Sequence, residues 1–203
     1  MKMFTIEQAQ QELNIAAANN PGPWEQHSQV TGENARRIAE KIPGMDPEKA
    51  CVRGLLHDIG RREGVTGMRH VIDGYSYLMS LNQPELATIC MTHSFASGNI
   101  EHFEGKHDCT REQKAFIQNF VENRELDDYD KLIQLCDALS LPTGPCLMEK
   151  RFVDVALRHG VQDYTTTRWR AYLNLKKYFD TLCGCDIYTL LPGIFENSMT
   201  NLI

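Results

Sequence analysis

The chain has 203 residues, of which 42% are hydrophobic and 24% charged, with a formal net charge of −6. That length suits a single hydrophobic core, and the acidic balance excludes binding driven by the phosphate backbone of duplex nucleic acid. No stretch approaches the ~18 continuous apolar residues of a membrane span, and the first twenty residues lack the apolar core of a signal peptide, so a cytoplasmic protein is expected.

In chain order the pattern is helical almost throughout. TIEQAQQELNIAAA opens with Thr5 and carries Gln8 three residues on, the spacing of a capping box. Residues 24–42 follow a Pro-Gly-Pro and place His27, Val30, Asn34, Ile38 and Ile42 on one stripe, so a helix is expected up to Pro43-Gly44. Asp46-Pro47 supplies an N-cap and a first-turn proline for a short helix running to about Asp58, with Gly60 just past its end. Residues 61–69 read as a polar loop, 70–81 and 84–94 as helices, and 95–109 as an aperiodic loop suited to a lid or rim. Thr110 and Gln113 repeat the capping-box spacing. DDYDKLIQLCDALSL starts with acids, favourable at a helix N-terminus, where Asp128 and Asp130 belong.

Further helices fit 145–159, closed by Gly160, and 165–182, closed by Gly184, followed by the tail IYTLLPGIFENSM. No run alternates long enough to demand a strand. The expectation is one all-α domain over 1–203, with non-parallel helices around a cleft: a motif core at about 25–140 and the helices of 145–203 packed on it. Seven cysteines without a CxxC spacing read as reduced thiols, with Cys183-Gly-Cys185 the one candidate redox pair.

Polar residues stand where the helical pattern asks for apolar ones. His27 lies on the buried stripe of its helix, and LLHDIG ends the next apolar helix with His57 and Asp58. Asp58 there faces the negative end of the helix dipole, where a cation would be favoured. His70 starts a helix, His93 ends one, and Asp137 sits inside LIQLCDAL. A buried, unpaired carboxylate costs several kcal/mol, so Asp58 and Asp137 need partners. Lysine or arginine would serve, but the apolar runs hold few. A divalent cation would satisfy both carboxylates and several imidazoles together. Mixed imidazole and carboxylate donors suit Fe, Mn, Co, Ni or Zn better than Mg.

The order His27, His57-Asp58, Asp137 resembles the H…HD…D pattern of the HD-domain superfamily of metal-dependent phosphohydrolases, over roughly residues 25–140. That resemblance implies an all-α fold and one metal held by these four residues. His70 and His93 are similar to the additional histidines of HD subgroups that hold two metals, which implies a second ion with Asp58 between the two. Ser94 stands where those subgroups often carry a further ligand or a water. The activity implied is hydrolysis of a nucleotide or other small phosphate ester by a metal-activated water, with Asp58 central and Arg61 in contact with phosphate. The other readings are an HD-fold di-iron oxygenase and a non-catalytic metal- or nucleotide-binding signalling module. Arg62, Lys150, Arg151 and Arg158 are either solvated charges or positive charge near the site, and His102 and His107 are loop histidines with a surface role expected.

Overall fold

The structure, a computed structural model, describes residues 3–200. Its helices are α1 (Ile6–Asn19), α2 (Trp24–Ala39), α3 (Pro47–Leu56), α4 (Arg69–Ser80), α5 (Pro84–Thr92), α6 (Arg111–Glu122), α7 (Asp128–Ala138), α8 (Met148–His159), α9 (Thr165–Cys183) and α10 (Ile194–Met199). Short 3-10 turns at Ile59–Glu63, Ile100–His102 and Ile187–Leu190 connect them. This is the expected all-α fold. Among the described residues no helix is long and apolar enough to cross a membrane.

Local chemistry starts several helices as the sequence indicates. Thr5 with Gln8 and Thr110 with Gln113 form reciprocal capping boxes, and Asp46 caps α3 ahead of Pro47. Asp127 and Asp130 form a third box at α7, where Asp130 also accepts from the Thr92 hydroxyl at 2.9 Å. Helix α4 has no cap of its own; Asp108, from the 95–109 loop, accepts from the Gly67 and Arg69 amides at 2.7 and 2.9 Å. That distant cap ties the loop to the turn that carries His70.

Three apolar clusters hold the helices. One joins α2 and α7 to α8, α9 and the C-terminal turns through Ile38, Leu132, Leu135, Phe152, Phe179 and Ile187. A second joins α1, α3, α4 and α5 through Leu13, Leu55, Leu56, Leu78 and Leu86. A third seats α6 with Met68, Val71, Met91 and Ile117. Each buried Leu, Ile or Phe contributes about 1.5–3 kcal/mol relative to exposure. All seven cysteines are free.

Some expectations need correction. Helix α2 stops at Ala39 rather than at 42; Ile42 lies in the turn beyond it yet stays 9% exposed, while Val30 is only half-buried. Residues 61–69 are not all loop, because Ile59–Glu63 coils into a 3-10 turn. Two-residue strands, β1 (Ser140–Leu141) and β2 (Gly144–Pro145), pair antiparallel with Ser140 opposite Pro145. Such a pair is too short to show any alternation in sequence.

Gly60 is also not a helix end, since α3 ends at Leu56. A Cβ on Gly60 would stand 2.0 Å from the His70 carbonyl oxygen and 2.4 Å from the Gly74 nitrogen. The turn after α3 therefore rests directly on the α4 backbone, which brings Asp58 to His70. Likewise a Cβ on Gly54 would lie 2.6 Å from Gly32 Cα, so α2 and α3 touch backbone to backbone. Replacing Gly60 with Ala should destabilise the fold by roughly 1–3 kcal/mol, the range for overpacking against groups that cannot rotate away. Chemical denaturation checks this, and an unchanged midpoint would refute the close approach.

Candidate metal centre

The six residues singled out in the sequence converge on one point. His27 comes from the first turn of α2, His57 and Asp58 from the end of α3, His70 from the start of α4, His93 from the end of α5 and Asp137 from the end of α7. His27 Nε2 is 2.9 Å from Asp137 Oδ1, and His57 Nε2 is 4.0 Å from the same oxygen. On the other side, His70 and His93 Nε2 lie 3.2 and 3.4 Å from Asp58 Oδ1. His57, Asp58, His70 and His93 are buried, whereas Asp137 opens towards a cleft.

The imidazoles share one feature. Each places Nδ1 against a backbone carbonyl: His27 on Ser140 at 3.2 Å, His57 on Gly54 at 2.7 Å, His70 on Gly67 at 2.6 Å and His93 on Cys90 at 3.0 Å. A carbonyl only accepts, so Nδ1 carries the proton. In the neutral ring Nε2 then presents a bare lone pair to the centre. His70 Nε2 and His93 Nε2 are 3.2 Å apart, an arrangement that two lone pairs tolerate only with a proton or cation between them. His57 Nε2 and Asp58 Oδ1 are buried with no hydrogen-bond partner among the described residues.

Asp58 has one covalently encoded counter-charge. Arg61 donates through Nε to its Oδ2 at 2.5 Å, and Asn20 holds the Arg61 carbonyl at 2.6 Å. Arg61, expected over a phosphate, is thus spent on the aspartate, three residues away along the chain. Burial by itself would raise the Asp58 carboxyl, but Arg61, His57 and His70 outweigh it and hold it well below the usual carboxylate range. Burial would raise Asp137 too; its 2.9 Å contact with His27 Nε2, which needs a proton or cation between the two atoms, and the neighbouring His57 and His93 hold it down. Burial pushes His57 down to about 4 and, with Arg61, lowers His70. His93 moves the other way, because Asp58 and Asp137 overcome its burial. Cys90 beside the cluster stays a thiol, raised by burial and directed at the Leu56 carbonyl.

The other residues of interest separate cleanly. The cleft above the cluster has a volume of about 830 Å³ and is walled by Trp24, the 64–67 loop, Phe103, Leu141 and α8. Ser94 lies on its floor and donates to His93 Nε2 at 2.9 Å. The 95–109 segment is a rim, with Phe103, Glu104 and Lys106 facing the cleft. His102 stacks on Tyr164 at 4.9 Å and His107 is exposed, so neither reaches the cluster. Arg62 stacks on Tyr77 at 3.7 Å, and Lys150 reaches the Thr200 carbonyl at 2.9 Å. Arg151 and Arg158, by contrast, line the cleft. No sequence signal marks the part-buried Glu104–Arg168 ion pair that holds the rim to α9, because neither residue interrupts an apolar run. Nor did it show Asn20, whose only signal is its place before Pro-Gly-Pro.

An all-helical fold with four histidines and two aspartates gathered in its interior defines a protein built to bind divalent metal. The family model of the HD domain matches residues 24–141, and the chain belongs to the HD-domain family. Members of that family are in general metal-dependent phosphohydrolases. No curated protein and no solved structure matches the chain.

The residues fit a metal on their own terms. Three triads, His27/His57/Asp58, His57/His93/Asp137 and Asp58/His70/His93, each bring their ligand atoms within 4.8 Å of one another. The unpartnered His57 Nε2, the orphaned Asp58 oxygen and the facing His70–His93 pair are what a cation would satisfy.

The titration of the cluster has a stability consequence. A histidine with a folded pKa below its unfolded value stabilises above about pH 6.5, and that contribution is lost as pH falls through the folded value. For His57 the window is 6.5 down to about 4, His70 acts in the same direction and His93 opposes them. The chelator-treated protein should therefore melt at a lower temperature at pH 4.5 than at pH 7, and His57→Phe should reduce the difference. Calorimetry at the two pH values decides it; a melting temperature that rises on acidification would contradict the burial of a neutral His57.

Proposed function

We propose that this protein is a metal-dependent phosphohydrolase acting on a nucleotide or other small phosphate ester. The observation that supports it most is the set of four histidines that turn Nε2 towards two carboxylates at the floor of a cleft large enough for a small organic phosphate. Four imidazoles favour a first-row divalent ion over Mg. His27, His57, Asp58 and Asp137 would hold one ion, and Asp58, His70 and His93 a second; bound there, such ions acidify water and neutralise phosphoryl oxygens.

The chain's own groups do the rest. The carbonyls of Ser140, Gly54, Gly67 and Cys90 fix each ring tautomer and its orientation. Arg61 holds Asp58 ionised and orients it through Nε, and the same guanidinium lines the cleft, where its other N–H donors can take a phosphate oxygen. Ser94 donates a hydroxyl proton at the point where the cleft meets His93. The recessed floor suits a small molecule and not a duplex, and an intracellular, cytoplasmic substrate matches the reduced thiols.

Elemental analysis of the purified protein, with a screen of phosphomonoesters, nucleotides, cyclic dinucleotides and dinucleoside polyphosphates, tests this reading. Phosphate release that falls by about a hundredfold or more in Asp58→Ala is expected, given the usual cost of losing a metal ligand or its support. His70→Ala should lower the metal content from near two per chain to near one. Oxygen consumption without phosphate release would instead identify an oxygenase, and a metal-free, inactive protein would leave a binding module.

Arg61→Ala separates the two roles given to that residue. It should lower kcat/KM by about tenfold or more, as expected for loss of a charge-assisted contact worth ~1.5–3 kcal/mol. Metal content should change little. Steady-state kinetics and elemental analysis on one preparation check both, and metal loss equal to that of Asp58→Ala would show that Arg61 only supports the ligand.

A further inference from the structure

One wall of the cleft lies outside the residues that match the HD family. Helix α8 begins directly after the β1–β2 hairpin, and that hairpin carries Ser140, the residue that fixes His27. Met148 and Phe152 pin the helix to the core, and Val153 and Leu157 face outward at 56% and 81% exposure. Arg151, Val155 and Arg158, at the i, i+4 and i+7 positions, therefore fall on the cleft side.

The charges on this wall are coupled. Arg151 Nη1 and Arg158 Nη2 donate to a single oxygen, Asp154 Oδ2, at 3.2 and 3.0 Å. Two guanidiniums balanced by one carboxylate leave a net positive charge, and most of their N–H donors remain unspent. On the rim, Lys106 faces the same cleft; its ammonium makes no ion pair within 4 Å among the described residues, and the nearby Asp108 carboxylate feels its charge. At the floor, Arg61 is engaged by Asp58. The cleft lining also includes the apolar Leu141, Pro142 and Val155. A volume of about 830 Å³ also exceeds what one phosphate needs and lies in the range of small-molecule sites.

We propose that Arg151 and Arg158, yoked by Asp154 and faced by Lys106, form a second anion subsite at the cleft mouth. The substrate is then a small organic molecule with a phosphate ester over the histidine–aspartate cluster and a second anionic group, phosphate or carboxylate, on α8. This rests on the phosphohydrolase reading for the first group only. Planar guanidiniums suit either anion, since both offer paired oxygens.

Titration calorimetry with matched probes tests the subsite without relying on turnover. Adenosine 5′-monophosphate is compared with adenosine 3′,5′-bisphosphate, and glycerol 3-phosphate with 3-phosphoglycerate, on the metal-loaded protein and on its R151Q/R158Q variant. The member with the second anionic group should, in at least one pair, bind about tenfold tighter to the wild type, and the ratio should fall to within about twofold in the variant. The pair that shows the gain identifies the second group as phosphate or carboxylate. Arg158 is half-exposed, so R158Q alone serves if the double variant melts early, with a partial loss of the ratio expected. R151K/R158K, which keeps charge without the planar fork, should retain part of it.

A ratio near one for both pairs in the wild type, or a ratio unchanged in the variants, would overturn the subsite. Phosphate release is read in parallel. An arginine-dependent preference without release would keep the subsite and defeat only the hydrolase reading. Release with no preference would do the reverse.

Discussion

A carboxylate can be buried only where positive charge or donors meet it, and Asp58 is buried at the junction of α3, α4 and α5. Much of the surrounding structure answers that requirement. Arg61 turns back from the 3-10 turn to one oxygen, while the other faces His70 and His93 and has no hydrogen bond. The close contact of Gly60 with the α4 backbone brings His70 near enough to share that oxygen. Asp108, capping α4 from a distant loop, holds the first turn in which His70 sits. Asp130 plays a related part for α5, where it anchors Thr92 beside His93.

The histidines show how a fold prepares ligands before any ion is bound. Each ring gives its Nδ1 proton to a main-chain carbonyl near a helix end or in a tight turn, where carbonyls are left without intrahelical partners. Helix termini thus supply both the position of the ligand and the acceptor that sets its tautomer. His57 and His93 use carbonyls of their own helices, three residues back, whereas His27 depends on Ser140 of the short hairpin. The hairpin is small, but it links the cluster to α8 and so to the outer wall of the cleft.

The two walls of the cleft differ in origin. The floor lies within residues 24–141, the part matched by the HD family. The α8 wall, and Tyr164 just before α9 with Arg168 inside it, which clamp the rim, follow it in the chain. The helices after 141 share a core with α2 and α7. A shared core of that kind lets later residues shape what reaches the floor without altering the ligands.

All six cluster residues were legible in the sequence, because a polar side chain at a buried helical position is costly and therefore conspicuous, and because the HD pair marks its own helix end. The helices were legible for the same periodic reason, as were the capping boxes. The sequence could not reveal that Arg61 spends its charge on Asp58, that Gly60 serves close packing in place of a helix stop, or that Arg151 and Arg158 look into the cleft while Lys150 looks away. Those outcomes depend on which backbone lies opposite, at contacts of a few ångströms between segments far apart in the chain. Local pattern fixes which residues are anomalous; only tertiary packing decides which of them meet.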